Sequence, residues 1–128
     1  MPTYPQLTLK KHRKKKIHKN CKKHLQKCPQ KIGTCIKVTT RKPKKPNSAQ
    51  RKIAKIQINK TKKKLWIYLP GIGHSLQPFS TVLIRGGRVQ DMPGIKYKAI
   101  RGKLDFNIEP VLRRSHKRSK YGLKRILP

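Results

Sequence analysis

Positive charge is the feature of this sequence that most limits how the chain can fold. The 128 residues include 36 Lys and Arg but only three acids, so the formal net charge is +33. The acids are Asp91, Asp105 and Glu109, and none precedes residue 91. Repulsion on this scale opposes compaction, and internal ion pairs cannot offset it because the partners are absent. The folded chain is therefore predicted to need a surrounding polyanion.

Nucleic acid is the polyanion that fits this sequence best. Each phosphate that a lysine or arginine neutralises releases a counterion, which favours binding. A membrane is a poorer partner, since no stretch approaches the roughly 20 apolar residues of a spanning helix and no helix with a broad apolar face is indicated. The N-terminus lacks the long apolar segment of a secretory signal, so none is expected.

The distribution of apolar residues divides the chain into three predicted parts. Residues 1–30 form a basic extension, residues 31–108 carry most of the core, and residues 109–128 form a basic tail. The run KKHRKKKIHKNCKKH (10–24) has no sustained period of 2 or 3.6. We expect it to be either a solvated tail or a segment that is ordered by threading through a polyanion.

Five segments have the composition or the alternation of β-strands. In RKIAKIQIN, for example, Ala54, Ile56 and Ile58 share one face, and the short polar link at 60–63 suits a hairpin to the next strand. Five short strands around a shallow core predict an all-β fold, a small closed or partly open barrel. The segments are GTCIKVTT (33–40), RKIAKIQIN (51–59), KLWIYLPG (64–71), TVLIRGG (81–87) and YKAIRGKL (97–104).

Catalytic chemistry is not indicated. Three scattered acids do not form a carboxylate pair for acid–base work. His74 beside Ser75 is one neighbour rather than a set of nucleophile, base and orienting group. We therefore expect no enzymatic activity and no cofactor.

The three cysteines, Cys21, Cys28 and Cys35, are each separated by six residues. This spacing lacks the closely paired cysteines of zinc motifs, and free thiols in a reducing compartment are the simplest interpretation. A turn at Pro29 and Gly33 would let Cys28 and Cys35 meet, as a reversible disulfide or as part of a metal site. These two cysteines are kept as the alternative metal candidates.

Two glycine-rich loops are candidates for anion binding. They are PGIGHSLQPFS (70–80) and IRGGRVQDMPGIKYK (84–98). Glycines let backbone N–H groups approach an anion, and Arg85 and Arg88 offer phosphate contacts. The alternative for Gly86 and Gly87 is a plain hairpin turn.

The stretch RKPKKPNSAQRK (41–52) combines strong charge with a small neutral tip. Its cations can hold phosphates, which positions the loop without reading a sequence. Pro46, Asn47 and Ser48 are small enough to approach a sugar edge, and the shallow minor groove of RNA is recognised by contacts of that kind. A surface turn is the alternative. The cations are Lys42, Lys44, Lys45, Arg51 and Lys52.

Together these segments resemble the universal small-subunit ribosomal protein twelve, a family found at the decoding centre. The matching stretches occur in the family's order and cover most of the chain from residue 28. The resemblance implies an OB-type five-stranded barrel and a long N-terminal arm that penetrates between ribosomal RNA and the rest of the small subunit. The stretches are CPQKIGTC (28–35), KKPNSAQRK (44–52), PGIGHSLQPFSTVLIRGGRVQDMPGIKY (70–97), IRGKLD (100–105) and RSKYGLKR (118–125).

The resemblance also implies roles for individual residues. Pro46 and Ser48 would support the decoding adenines as they inspect the codon–anticodon minor groove, with Asn47 shaping the loop. Lys44 and Lys45 would hold rRNA phosphates, and Lys45 is the position associated with the streptomycin response. A second decoding loop would use Arg85, Arg88, Gln90, Asp91, Pro93 and Gly94.

His74 resembles the family residue that lies near the elongation-factor interface. Two departures from the bacterial pattern stand out. Gln90 stands where the bacterial pattern has a lysine, so the cationic rRNA contact and the drug response that the family implies there are not expected of this chain. GIGHSLQPFS (71–80) stands where bacterial proteins read GEGHNLQEHS, so a Glu and a His are missing.

The expected partners are small-subunit rRNA and neighbouring ribosomal proteins, with the mRNA–tRNA duplex and elongation factors nearby. A free-standing OB-type RNA-binding protein or RNA chaperone is the alternative function. The excess of Lys, Ile and Asn is typical of an AT-rich gene. With the basic arm, it favours a mitochondrial, organelle-encoded chain over a plastid or bacterial cytoplasmic one.

Overall fold

Five β-strands form the centre of the computed structural model, which describes residues 1, 3–9, 23–107 and 114–125. Each predicted strand is present. Strand β5 is shorter than predicted, because residues after Ala99 enter a turn in which the Gly102 N–H donates to the Phe106 carbonyl at 2.8 Å. The strands are β1 (Gln30–Arg41), β2 (Arg51–Ile58), β3 (Lys64–Tyr68), β4 (Thr81–Gly86) and β5 (Tyr97–Ala99).

The sheet closes into a barrel in the order β1-β2-β3-β5-β4. Strands pair antiparallel except β3 and β5, which meet in parallel at Tyr68 and Lys98. The 12-residue β1 pairs with both β2 and β4. A register shift between Cys35 and Lys37 marks a bulge, and bulges bend a strand, which lets β1 close the barrel. The prediction of an all-β, OB-like five-stranded barrel is confirmed.

The barrel interior is apolar because the strands alternate as the sequence predicts. Ala54, Ile56 and Ile58 of β2 are at most 1% exposed. From β3, Leu65 and Ile67 join the same core, while the intervening Trp66 is only half-buried. Burying such side chains contributes roughly 1.5–3 kcal/mol each.

Helical segments flank the barrel. They are α1 (Tyr4–Leu9), a 3₁₀ turn at Lys23–Leu25, a second 3₁₀ turn at Ser115–Lys117 and α2 (Arg118–Tyr121). Leu25 is 2% exposed and belongs to the barrel core, whereas α1 buries no side chain. In the described ranges, no helix has the length and apolar character that crossing a membrane requires.

The predicted terminal segments are described only in part. Residues 10–22 of the basic extension, and 108–113 and 126–128 near the C-terminus, lie outside the described residues. The division into extension, barrel and tail therefore stays a prediction.

Truncating the barrel core should destabilise the protein far more than the same change on the surface. We expect Ile67→Ala, at a side chain with 0% exposure, to lower the free energy of unfolding by about 2–4 kcal/mol. Ile72→Ala, at a side chain with 60% exposure, should lower it by less than about 0.5 kcal/mol. Urea denaturation in sulfate buffer measures both. Equal losses would contradict the assignment of the core.

Candidate nucleic-acid interface

The loop between β1 and β2, residues 42–50, presents charge and a neutral tip together. Lys42, Lys44 and Lys45 are exposed. The loop ends in five further exposed residues, Pro46, Asn47, Ser48, Ala49 and Gln50. The Asn47 N–H donates to the Lys44 carbonyl at 3.1 Å, and the Lys45–Pro46 peptide bond is cis. The hydrogen bond between Asn47 and Lys44 holds the small neutral tip in a turn, and the tip is exposed.

The loop between β4 and β5, residues 87–96, is fixed by its own hydrogen bonds and by an apolar underside. The Gly87 N–H donates to the Lys96 carbonyl and the Val89 N–H to the Ile95 carbonyl, both at 3.1 Å. Because the Gly87 N–H is used in this way, it serves the turn rather than an anion. Val89, Met92 and Ile95 pack in a cluster with Ile53 of β2. This loop is therefore part of the folded domain.

Asp91 joins the two loops. Its backbone carbonyl accepts from the Lys44 N–H at 2.7 Å, and its carboxylate lies 3.1 Å from the Arg51 guanidinium. The Asp91 side chain is 17% exposed, so the ion pair is partly shielded from water. One acid thus links the middle of the second loop to Lys44 of the first loop and to Arg51 at the start of β2.

The joined loops enclose a surface cleft of about 400 Å³. Asp91 is the one acid among the side chains that line it, and its charge is already paired with Arg51. The positive charges of Lys44 and Lys45 are the ones left to attract an anion. The lining residues are Lys44, Lys45, Pro46, Asn47, Gln90 and Asp91.

The structure brings most of the predicted site residues together, with two exceptions. Arg85 lines a different pocket, with Lys98 and Lys120. His74 lies on the loop between β3 and β4. Arg51 and Lys52 begin β2 at the base of the first loop. The second loop holds Arg88, Gln90, Asp91, Pro93 and Gly94, of which Asp91 is half-buried and the others are exposed.

Arg101 is a site residue that sequence reasoning missed. Its side chain is 4% exposed and its guanidinium lies over the Phe106 ring at 4.3 Å. The guanidinium donates to the carbonyls of Pro70 at 2.8 Å, Ile72 at 3.3 Å and Gly73. It donates to the Asn107 carbonyl at 3.0 Å as well. Arg101 thereby fixes the loop that carries His74, using carbonyl groups in place of a carboxylate.

The electrostatic surroundings of His74 favour the neutral imidazole. Burial lowers its pKa, and the positive charges of Lys52 and Arg101 lower it further. Its Nδ1 is buried without a hydrogen-bond partner in the part of the chain that the structure describes. Burial likewise lowers the pKa of Arg101, while nearby Tyr121 raises it.

The cysteines do not form the alternative pair. Cys28 is exposed and Cys35 is buried in the barrel core, and both are free thiols. Burial raises the pKa of the Cys35 thiol, and a backbone hydrogen bond with Lys37 opposes that shift. Among the described residues, no cluster of three or more His, Cys, Asp or Glu side chains has the geometry of a metal site. Cys21 lies outside the described residues.

The sequence contains only weak signals for the residues that were missed. Val89, Met92 and Ile95 recur at every third position, which marks an apolar face within an otherwise polar loop. Arg101 has no such signal, because a cation in IRGKL looks like any other cation of the chain. Its burial depends on carbonyl groups far away in sequence.

Geometry places the chain in the class of OB-like barrel proteins that carry a cationic interface on two joined loops. Comparison with known proteins then identifies the family. A family description, Ribosomal protein S12/S23, matches residues 17–126, and the chain belongs to this family.

Two relatives support the assignment, and both are called "Small ribosomal subunit protein uS12m". The protein from Bigelowiella natans is 56% identical over 113 residues, covering 88% of this chain and 87% of the relative. The one from Acanthamoeba castellanii is 52% identical over 122 residues, covering 95% and 94%. The chain is accordingly a mitochondrial member of the family and a structural protein of the small ribosomal subunit. The predicted family and the predicted mitochondrial location are confirmed.

Arg101→Lys should destabilise the protein even though it preserves charge. A lysine ammonium lacks the planar fork that reaches several carbonyls at once, and buried carbonyls that lose a donor cost about 1–3 kcal/mol. We expect a loss of that size in the free energy of unfolding, measured by urea denaturation. Arg88→Lys, at an exposed position, is the matched control and should change little. Equal stability of the two variants would contradict the role of Arg101.

Proposed function

We propose that this chain binds small-subunit rRNA and supports decoding accuracy at the A site. The Pro46-Asn47-Ser48 tip and the 88–94 loop would carry that function. The observation that favours this proposal most is the double link through Asp91, which makes one unit of the two loops. Loops that act on the same RNA surface need such a fixed relative position.

The cations of the interface would anchor the protein to RNA phosphates. Lys42, Lys44 and Lys45 are exposed on the first loop. Lys52 stands at its base beside Arg51, whose charge is paired with Asp91. Phosphate contacts fix register and orientation but read no sequence. Binding through them should weaken linearly with the logarithm of salt concentration.

The neutral tip would support the inspection of the codon–anticodon minor groove. Pro46, Asn47 and Ser48 are exposed and small, so they can approach a minor groove that bulky cations would block. A rigid tip of this kind limits the freedom of the RNA bases beside it. Correct pairs then complete the minor-groove hydrogen bonds, whereas each buried polar group that a mismatch leaves unpaired costs about 1–3 kcal/mol.

Rigidity of the second loop supports this mechanism. Its apolar residues Val89, Met92 and Ile95 are buried against β2, so loop motion would expose them. The paired charge of Asp91 then transmits that position to the first loop. No covalent chemistry is required of any residue.

His74 is assigned to the side that faces elongation factors, on the strength of the family resemblance. Its half-buried position on a loop fixed by Arg101 is compatible with a shaped contact surface. Neighbouring ribosomal proteins and the rRNA around the N-terminal extension complete the proposed partners.

Changes at the tip and at its anchor should alter decoding accuracy. We expect Lys45→Ala and Ser48→Pro to change misreading in a translating mitochondrial ribosome, because one removes a phosphate anchor and the other distorts the tip. Subunit assembly should stay largely intact. Lys60→Ala, at an exposed residue of the β2–β3 hairpin, is the control. Wild-type misreading in both loop variants would remove the basis for the proposal.

The ion pair between Arg51 and Asp91 should act as a unit in decoding. We expect Arg51→Gln and Asp91→Asn each to change misreading, and the double variant to change it no more than either single one. Groups in one ion pair show such non-additivity, whereas independent groups add. A misreading reporter measures all three variants. Strictly additive effects would show that the two loops act separately.

A further inference from the structure

A small pocket lies where the C-terminal helix α2 meets the barrel, away from the interface described above. Its volume is about 90 Å³. We call it the α2 pocket. Its side chains include Arg85 from β4, Lys98 from β5 and Lys120 from α2, with Tyr68 and Tyr121 beside them.

Four cations line this pocket. Arg101 already donates to backbone carbonyls, and the other three come from three different elements. Arg85 and Lys98 are direct partners in the β4–β5 register, and Lys120 approaches from α2. Burial lowers the pKa of Lys98, and the charges of Arg85 and Lys120 lower it further. Lys98 is therefore repelled by the positive charges of both Arg85 and Lys120.

The described residues supply no acid to this pocket. Of the two described acids, Asp91 pairs with Arg51, and the Asp105 carboxylate accepts from the Thr81 N–H at 2.6 Å. Arg85 has a long hydrogen bond of 3.4 Å to the Gly86 carbonyl. The repulsion is thus uncompensated within the described chain.

Gly87 allows the cations to come together. A Cβ atom at this position would lie 3.1 Å from Lys98 Cδ and 3.3 Å from Arg85 Nη1. A larger residue at this position would require these two side chains to shift by a few tenths of an ångström. The glycine therefore leaves room for both cations beside the turn.

We propose that the α2 pocket binds one phosphate of an RNA backbone, held jointly by Arg85, Lys98 and Lys120. The proposal rests on the proposed binding of rRNA and adds a specific subsite to it. A guanidinium and two ammonium groups suit the several oxygens of a phosphate. Arg85 then belongs to this subsite rather than to the second decoding loop.

Binding a phosphate here also fastens the C-terminal segment to the barrel. Helix α2 has four residues, and its apolar anchor is Tyr121, which is 5% exposed. So short a helix is unstable by itself, and Lys120 brings repulsion towards β4 and β5. An anion shared by the three elements converts that repulsion into attraction.

The first test uses inorganic phosphate as the probe and trypsin cleavage at Arg114, Lys117 and Arg118 as the readout. Phosphate at tenfold its dissociation constant should slow cleavage of the full-length chain about tenfold, relative to chloride at equal ionic strength. Lys98→Gln/Lys120→Gln should abolish this protection. Lys60→Gln/Lys103→Gln removes the same charge from exposed positions outside the pocket and should keep it. Equal protection of both double variants would overturn the proposal.

The second test uses the RNA-bound chain, in which a folding defect of the free variant does not obscure the result. Lys98→Gln and Lys120→Gln should each weaken binding to a fluorescently labelled rRNA hairpin, measured by anisotropy. The double variant should lose less affinity than the product of the two single losses, because residues that share one phosphate are coupled. If the fold-losses in RNA affinity of the two single variants multiply in the double variant, or if no variant loses affinity, the shared site is overturned.

These results are separable from the decoding proposal. The side chains of the α2 pocket do not line the cleft between the two loops, so each proposal has its own variants and its own readout. If the Lys45 and Ser48 variants leave misreading unchanged, the decoding role fails while phosphate protection stands. If the pocket variants keep wild-type protection and RNA affinity, the subsite fails while the decoding role stands.

Discussion

The scarcity of negative charge is the constraint on which this structure depends. With three acids against 36 Lys and Arg, most cations have no carboxylate to pair with. The fold instead positions them by other means. Arg101 is satisfied by backbone carbonyls, Asp91 is placed where one carboxylate links two loops, and the remaining cations are left for an external polyanion. The repulsion among unpaired cations therefore lowers the stability of the free chain and, for the same reason, favours binding to RNA.

Much of the barrel could be predicted from the sequence because alternation is a local property. The period of two in β2 gives the burial of Ala54, Ile56 and Ile58 directly, and a short polar link gives the hairpin. The closure of the sheet into a barrel could not be predicted in the same way. The bulge after Cys35 and the parallel pairing of Tyr68 with Lys98 depend on contacts between segments distant in sequence. The early end of β5 likewise depends on the turn that follows it.

The candidate site was predictable in composition but not in connectivity. Motifs identified the two loops and their cations, since charge and turn residues are visible in a single sequence. They did not show that Asp91 joins the loops, that Val89 and Met92 anchor one of them, or that Arg85 faces α2. In a chain with so many cations, sequence alone does not distinguish a buried arginine from a phosphate anchor. Only the tertiary structure separates these roles.

We propose that charge positions the first loop while its neutral tip contacts the RNA of the decoding site. A structure of the mitochondrial small subunit containing this chain, with mRNA and a cognate tRNA in the A site, would test this. We expect the Pro46-Asn47-Ser48 tip within about 4 Å of decoding-site RNA, Lys44 and Lys45 on phosphates, and Asp91 still joining the loops. A tip that faces solvent or another protein, away from RNA, would contradict it.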